Sequence, residues 1–293
     1  MPQEILVSKD NKSIELKEFI ELVKCNNYDF ANYDDLVDSA KYLNQLNNNK
    51  SFLLDLMCEE LMGTSFQKNN FYGPQVFILH SNEKYFLRAV VWNPISAAER
   101  TIAGFRYDIC HDHNFDILTI GYFGPGYESR GYSYDFKKIT GLIDEEVDMK
   151  SEGTIQLSEG KIFLYRAKKD IHMQMPPSSL SVSINLIPNN SKISSPQFEF
   201  NESTHKISRY LQISGNELIV RMAGVTANIE LADILYSIFK KTNSPHIKAY
   251  AGISLIQISN SMRTEIYESL QHDKLALDLF VKESEGVFNG IGN

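Results

Sequence analysis

The feature that most limits the possible folds is a change of hydrophobic period along the chain. Between Gln75 and Pro188 the apolar residues recur at the spacing of strands. Val76–His80, Tyr85–Trp92, Phe105–His113, Ile117–Phe123 and Tyr132–Phe136 read as strands, followed by Ile155–Leu157, Ile162–Tyr165, Ile171–Met175 and Leu180–Ile187. Gly, Pro, Asn or Asp punctuates most of the gaps. Many short strands in succession predict an antiparallel sandwich or barrel. Either side of this zone the period is helical. Leu16, Phe19, Ile20 and Val23 open the first helical zone, and Leu231, Ile234, Leu235 and Ile238 form the clearest stripe of the second. The expected organisation is a helical segment over 1–73, a β-barrel over 74–190 and a mainly helical segment over 191–293, with the helices of 205–283 packed on the barrel or on an interface. The Asn69–Pro74 stretch forms the first boundary.

Composition removes several function classes. The 293 residues carry a net charge of −8 with no long Lys/Arg cluster, so nucleic acid is not an expected partner. No apolar run approaches the roughly 20 residues a membrane span needs, and no signal-peptide pattern opens the chain. Cys25, Cys58 and Cys110 lie far apart and form no CxxC pair, which suits a reducing, cytoplasmic setting. The sequence leaves a homo-oligomer open.

Chemistry concentrates in Gly104-Phe105-Arg106-Tyr107-Asp108-Ile109-Cys110-His111-Asp112-His113. On a regular strand Phe105, Tyr107, Ile109, His111 and His113 share one face, and Cys110 and Asp112 turn to the other. Two imidazoles at i and i+2 can reach one ion, and imidazole suits iron, zinc, copper and nickel. His172, on the short strand after Gly160–Arg166, supplies a third nitrogen. Asp116, three residues past His113, is the one candidate for a fourth ligand; an Asx-turn residue is its alternative role.

The block from Gly104 to Asn185 resembles the cupin superfamily. Gly104, His111, His113 and Gly124 approximate its first motif, and Gly160 and His172 its second. The glutamate of the first motif is missing, its place taken by Ile117 or Leu118, and Pro176 stands where the second motif has asparagine. Without that glutamate the chain is most similar to the three-histidine class, the thiol (cysteine-type) dioxygenases. Lys84–Trp92 and Ile109–His113 carry that similarity, and Ser183–Ile187 lies where the class has Ser-x-His-x-Tyr.

The resemblance implies an antiparallel double-stranded β-helix barrel flanked by helices. It also implies Fe(II) on His111, His113 and His172, molecular oxygen as co-substrate and a small, anionic, amino-acid-like substrate. Departures argue against a cysteine dioxygenase itself. Asn185 and Ile187 replace the histidine and tyrosine that stand beside the metal in that class, Leu118 replaces the crosslinking cysteine, and no arginine lies near Gln75. No arginine lies between His172 and Arg209 either, which argues against a 2-oxoglutarate anchor.

Five further residues, Arg88, Trp92, Tyr107, Tyr122 and Asn185, line the expected pocket. Arg88 shares a strand face with Trp92 and would hold a carboxylate or phosphate if it points inward; an outward surface ion pair is the alternative. Tyr107 shares the histidine face and can act on a bound ligand or serve as a core aromatic. Tyr122 lies in a glycine-rich rim segment, and Asn185 on a polar strand face. Two rival functions remain on the same barrel: isomerisation or hydrolysis with Zn, Mn or Ni, and a ligand-sensing module. His205, His246 and His272 are isolated in the sequence and read as surface or capping residues.

Overall fold

The computed structural model describes residues 2–8, 11–63, 75–95, 107–189, 195–226 and 228–289. Gly104, Phe105 and Arg106, the Asn69–Pro74 boundary, and Asn190 and Ser191 lie outside the described residues. The architecture is mainly antiparallel β-sheet with flanking helices, in two compact units. Residues 1–134 and 149–191 make the first, 135–148 and 192–293 the second. The N-terminal helices and the strand zone therefore share one unit, and a short excursion at 135–148 belongs to the other.

The first unit begins with strand β1 (Gln3–Glu4) and helices α1 (Leu16–Cys25), α2 (Tyr33–Asp38), α3 (Ala40–Asn48) and α4 (Phe52–Met62). Strands β2 (Val76–Ser81), β3 (Tyr85–Trp92), β4 (Ile117–Phe123), β5 (Glu128–Ser133), β6 (Lys150–Gln156), β7 (Ile162–Tyr165), β8 (Asp170–Gln174) and β9 (Ser181–Pro188) follow. Six strands form one sheet in the order β1-β7-β4-β9-β3-β2, and three form another in the order β6-β5-β8. Among the described residues these sheets are separate, so no continuous ring of strand pairing closes a barrel.

Strand alternation divides the large sheet into two faces with different tasks. Leu87, Ala89, Leu118, Ile120, Leu164, Ile184 and Leu186 bury against Phe19, Leu36, Leu43 and Leu46 of the N-terminal helices. Each buried leucine or isoleucine among them contributes about 1.5–3 kcal/mol, which is why the apolar stripes of the N-terminal helices lie on this face. Val90, Trp92, Ile117, Phe163, Tyr165 and Ile187 point the other way and cluster with Tyr107, Tyr127 and Leu157.

The second unit holds a hairpin, β10 (Gln197–Asn201) with β11 (Lys206–Gln212), and helices α5 (Gly215–Thr226), α6 (Ala232–Lys241), α7 (Pro245–Ile258), α8 (Arg263–Leu270) and α9 (Lys274–Asn289). The helical expectation for residues from 205 onward is corrected at β11. Asn201 Oδ1 accepts the backbone N–H groups of Ser203 and Thr204, and His205 takes a left-handed φ of 55°. That turn lets Phe200 pair with Ile207, both buried. Helix α7 is apolar almost all round and forms the centre of this unit, its Ile253, Leu255 and Ile256 clustering with Val220, Phe239 and Leu279.

Candidate metal centre

The segment carrying His111 and His113 is not the regular strand that alternation predicts. Asp108 adopts a left-handed φ of 58°, which breaks the parity, and only His111 forms a β-bridge, opposite His172. His111 N–H donates to the His172 carbonyl at 2.9 Å and His172 N–H to the His111 carbonyl at 2.8 Å. This reciprocal pairing puts both side chains on the same side of the ribbon. Asp108 N–H reaches the Gln174 carbonyl at 2.9 Å, and Lys168 N–H reaches the His113 carbonyl at 2.8 Å. The segment is therefore strapped along β8 at several points.

The three imidazoles converge. His113 Nε2 lies 2.9 Å from His172 Nε2, and His172 Nε2 lies 3.2 Å from His111 Nε2. One ligand nitrogen from each ring lies within 4.8 Å of the other two. Nitrogens about 2.1 Å from a common ion stand about 3.0–3.4 Å apart, depending on the coordination geometry. The His113–His172 and His172–His111 separations are close to that spacing. His111 Nδ1 donates to the Ile109 carbonyl at 2.8 Å, the tautomer that leaves the Nε2 lone pair for a metal. The Gln174 side-chain amide nitrogen stands 3.3 Å from His172 Nδ1. Burial holds His113 and His172 well below the ordinary histidine range; the neighbouring His111 adds to this at both, and the Arg88 charge adds to it at His113. Both rings are neutral near pH 7, as ligation requires.

Asp116 is not part of this group among the described residues. Its carboxylate accepts the Ala167 backbone N–H at 2.7 Å, the turn-type role, and burial raises its pKa. Asp112 is not in the group either and accepts the Tyr134 hydroxyl at 2.6 Å, and Cys110 is buried. Tyr107 commits its hydroxyl to the Asn93 carbonyl at 2.9 Å, receives the Gln75 amide at 3.4 Å, and lies 5.8 Å from the Trp92 ring. It is a core aromatic with a satisfied hydroxyl.

Tyr122 is on the opposite face of the large sheet. It alternates with Leu118 and Ile120, belongs to the helix-side cluster, and donates to the Asn49 carbonyl at 3.0 Å. Its place beside the glycine-rich turn misleads; the parity of β4 decides its direction. Arg88, Trp92 and Asn185 lie on the metal-side face. Arg88 shares its parity with Trp92, and its charge acts on both His113 and Tyr127. Trp92 Nε1 donates to Ser183 Oγ at 3.0 Å.

Sequence reasoning missed Gln174, Tyr165 and Tyr134. Gln174 is two residues beyond His172 on β8 and so on the same face, a parity signal present in the sequence. The Tyr165 ring lies 4.3 Å from His172, and alternation with Phe163 on β7 carries the same signal. Tyr134 lies beyond the end of β5, where no period indicates its direction.

No protein-family model and no curated protein matches the chain. Solved structures match only in part. One is of DMSP lyases, at 13% identity and a TM-score of 0.23, covering 39% of this chain and 46% of that one. A second is a hydroquinone 1,2-dioxygenase in complex with Cd2+ and 4-hydroxybenzonitrile, at 14% identity and a TM-score of 0.27, covering 43% and 70%. A third is a polyketide cyclase from Streptomyces resistomycificus, at 8% identity and a TM-score of 0.24, covering 46% and 81%. The chain thus spans less than half the length of the first of these. Likeness at this level carries no functional inference. No helix among the described residues is long and apolar enough to cross a membrane.

Proposed function

We propose that this chain is a mononuclear metal enzyme of cupin type, with His111, His113 and His172 holding one divalent ion. The observation that carries the reading is the convergence of three Nε2 atoms, two of them on deeply buried neutral rings. Fe(II) is the first assignment and Zn, Mn or Ni the alternatives, since imidazole accepts all of them. A bound Fe(II) would supply oxygen activation, so the reaction proposed is oxygenation of a small anionic substrate. Three neutral ligands leave the full charge of the ion uncompensated, which favours an anion beside it.

The protein's own groups have separable tasks in this reading. The Ile109 carbonyl holds the His111 tautomer, and the Gln174 amide stands against the His172 ring. Trp92, Tyr127, Phe163 and Tyr165 make the surroundings apolar and exclude water. Arg88 supplies a positive charge on the same side. Asp112, anchored by Tyr134, sits between the two ligands of its segment and holds their spacing.

Metal analysis of protein purified without chelator should find about one ion per chain, and His172→Ala should remove it. Oxygen uptake that depends on Fe(II) and disappears in His111→Ala would support the oxygenase assignment. Stoichiometric zinc with no oxygen uptake would move the chain to hydrolytic or isomerising chemistry. Protein that binds none of these ions would refute the metal centre.

A further inference from the structure

We infer that the outward face of helix α5 is a self-association surface, through which two copies of this chain pair about a twofold axis near Met222. Helix α5 is built inside out. Its two charged residues pair with each other: Glu217 is 0% exposed, and its partner Arg221 stacks on the Tyr250 ring at 3.5 Å. None of the exposed residues of the helix is charged. Leu218, Ile219, Met222 and Val225 are instead 52%, 62%, 62% and 77% exposed, and Ile229, in the turn that follows, is 67% exposed. A helix on the surface of a soluble protein ordinarily shows the opposite arrangement.

Rotation of the helix cannot hide this face. Val220 and Gly224 are buried on the side of α7, where Ser254 Oγ donates to the Val220 carbonyl at 2.8 Å. A Cβ at position 224 would stand 2.5 Å from Ser254 Oγ and 2.7 Å from Ser254 Cα, so only glycine allows this approach. Leu218, Met222 and Val225, at i, i+4 and i+7, therefore form one outward stripe with Ile219 beside it. The spacing is that of a helix–helix seam, and among the described residues nothing covers it.

Size and symmetry select a second copy as the partner. The five apolar residues together present about 600 Å², the top of the range for the largest apolar patch of a monomer. Two such faces bury about 1,200 Å², the lower bound of a specific interface, before any polar rim is counted. The stripe is self-complementary: with Met222 on the axis, antiparallel pairing sets Leu218 of each copy against Val225 of the other copy. Each chain carries a net charge of −8, which opposes association, but the contact itself is uncharged, so no carboxylate is desolvated. A lipid surface is disfavoured, because the exposed charges that follow the stripe, Glu230 and Asp233, are acidic where a membrane-lying helix carries Lys or Arg.

The test is sedimentation velocity of the full chain from about 0.1 to 100 µM, where the wild type should form a dimer with a Kd in or below the micromolar range. Met222→Glu sets two carboxylates against each other at the axis and should weaken the dimer at least about hundredfold. Leu218→Lys and Val225→Glu should each weaken it at least about tenfold. The double variant restores opposite charges at both contacts of the antiparallel register and should recover most of the affinity. The substituted side chains are exposed, and a melting curve of each variant checks that the second unit stays folded.

A wild type that is still monomeric at about 100 µM, a dimer indifferent to Met222→Glu, or a double variant weaker than both single ones would overturn the inference. So would a monomer that binds phosphatidylcholine vesicles and loses that binding in Met222→Glu, which gives the face to a lipid surface.

Discussion

Tyr134→Phe removes one oxygen and nothing else from the support of the histidine segment. Tyr134 is 6% exposed, and its hydroxyl donates at 2.6 Å to Asp112, which is 0% exposed and lies between His111 and His113. Burial, and then the Asp112 charge, hold the phenol far above its ordinary range, so it is a proton donor at every working pH. Phenylalanine keeps the ring packing, so no cavity forms, but the buried carboxylate is left one donor short. A hydrogen bond to a charged group contributes about 1.5–3 kcal/mol. A loss of about 2 kcal/mol should lower Tm by roughly 4–8 °C in a unit of this size. Loss of a contact that orients metal ligands typically costs about 10–100-fold in metal affinity. Thermal melts of metal-free protein give the first number, and a competitive Zn(II) titration gives the second. If the variant melts and binds zinc as wild type does, the Asp112–Tyr134 contact does not hold the segment.

Three further predictions probe other parts of the same physics. His246, buried in the second unit, is held at about 4 against an ordinary 6.5, by burial first and the Arg221 charge second; its stabilising contribution is complete above about pH 6.5 and lost as pH falls towards 4, a span of about 3 kcal/mol. Urea unfolding of wild type against His246→Gln at pH 7, 5.5 and 4 isolates that loss, and parallel curves would contradict it. Gly126→Ala places a Cβ 1.8 Å from the Leu157 carbonyl oxygen at a φ of +79°, whereas Gly160→Ala at +77° meets nothing within 4 Å. The second should cost about 1–2 kcal/mol from backbone conformation alone and the first distinctly more, read from their melts. Leu118→Ala, fully buried on the helix-side face, should cost about 2–5 kcal/mol while leaving zinc affinity unchanged.

What could be read from the sequence follows the strength of its periodic signal. Tyr85–Trp92, Ile117–Phe123 and Ile162–Tyr165 agree with the observed strands residue for residue, because each is an apolar run closed by turn-forming neighbours. The three histidines were legible for a related reason: HxH is a spacing, and the structure brings its two rings to His172. Parity was the weaker guide wherever the backbone leaves the extended region. The left-handed Asp108 breaks the alternation before His111, so Tyr107 packs in the core and does not follow the histidines. Tyr122 shows the reverse error, since regular alternation on β4 places it with Leu118 and Ile120. His246 was unreadable as a buried residue because its surroundings, Glu217 and Arg221 of α5 and Gly141 of the 135–148 excursion, come from distant sequence.

The large sheet explains why helices with no catalytic signal of their own matter to the centre. On β9, Ile184 and Leu186 enter the helix-side core while Ser183 and Asn185 face the metal side; on β4, Leu118 and Ile120 alternate with Ile117 and Thr119 in the same way. A slip of one residue in either strand would exchange these sets, sending Asn185 into an apolar core and Ile184 into the polar row. Strand pairing alone resists such a slip weakly, because the backbone hydrogen bonds can be remade in the new register. The burial of fully apolar side chains against Phe19, Leu36, Leu43 and Leu46 cannot be remade, since the slipped face would present Thr119, Ser183 and Asn185 to those helices. The N-terminal helices therefore set the register that aligns Thr119, Asn185 and Arg88 across three strands. Their contribution to the centre is exerted through the sheet, without contact with the metal ligands being required.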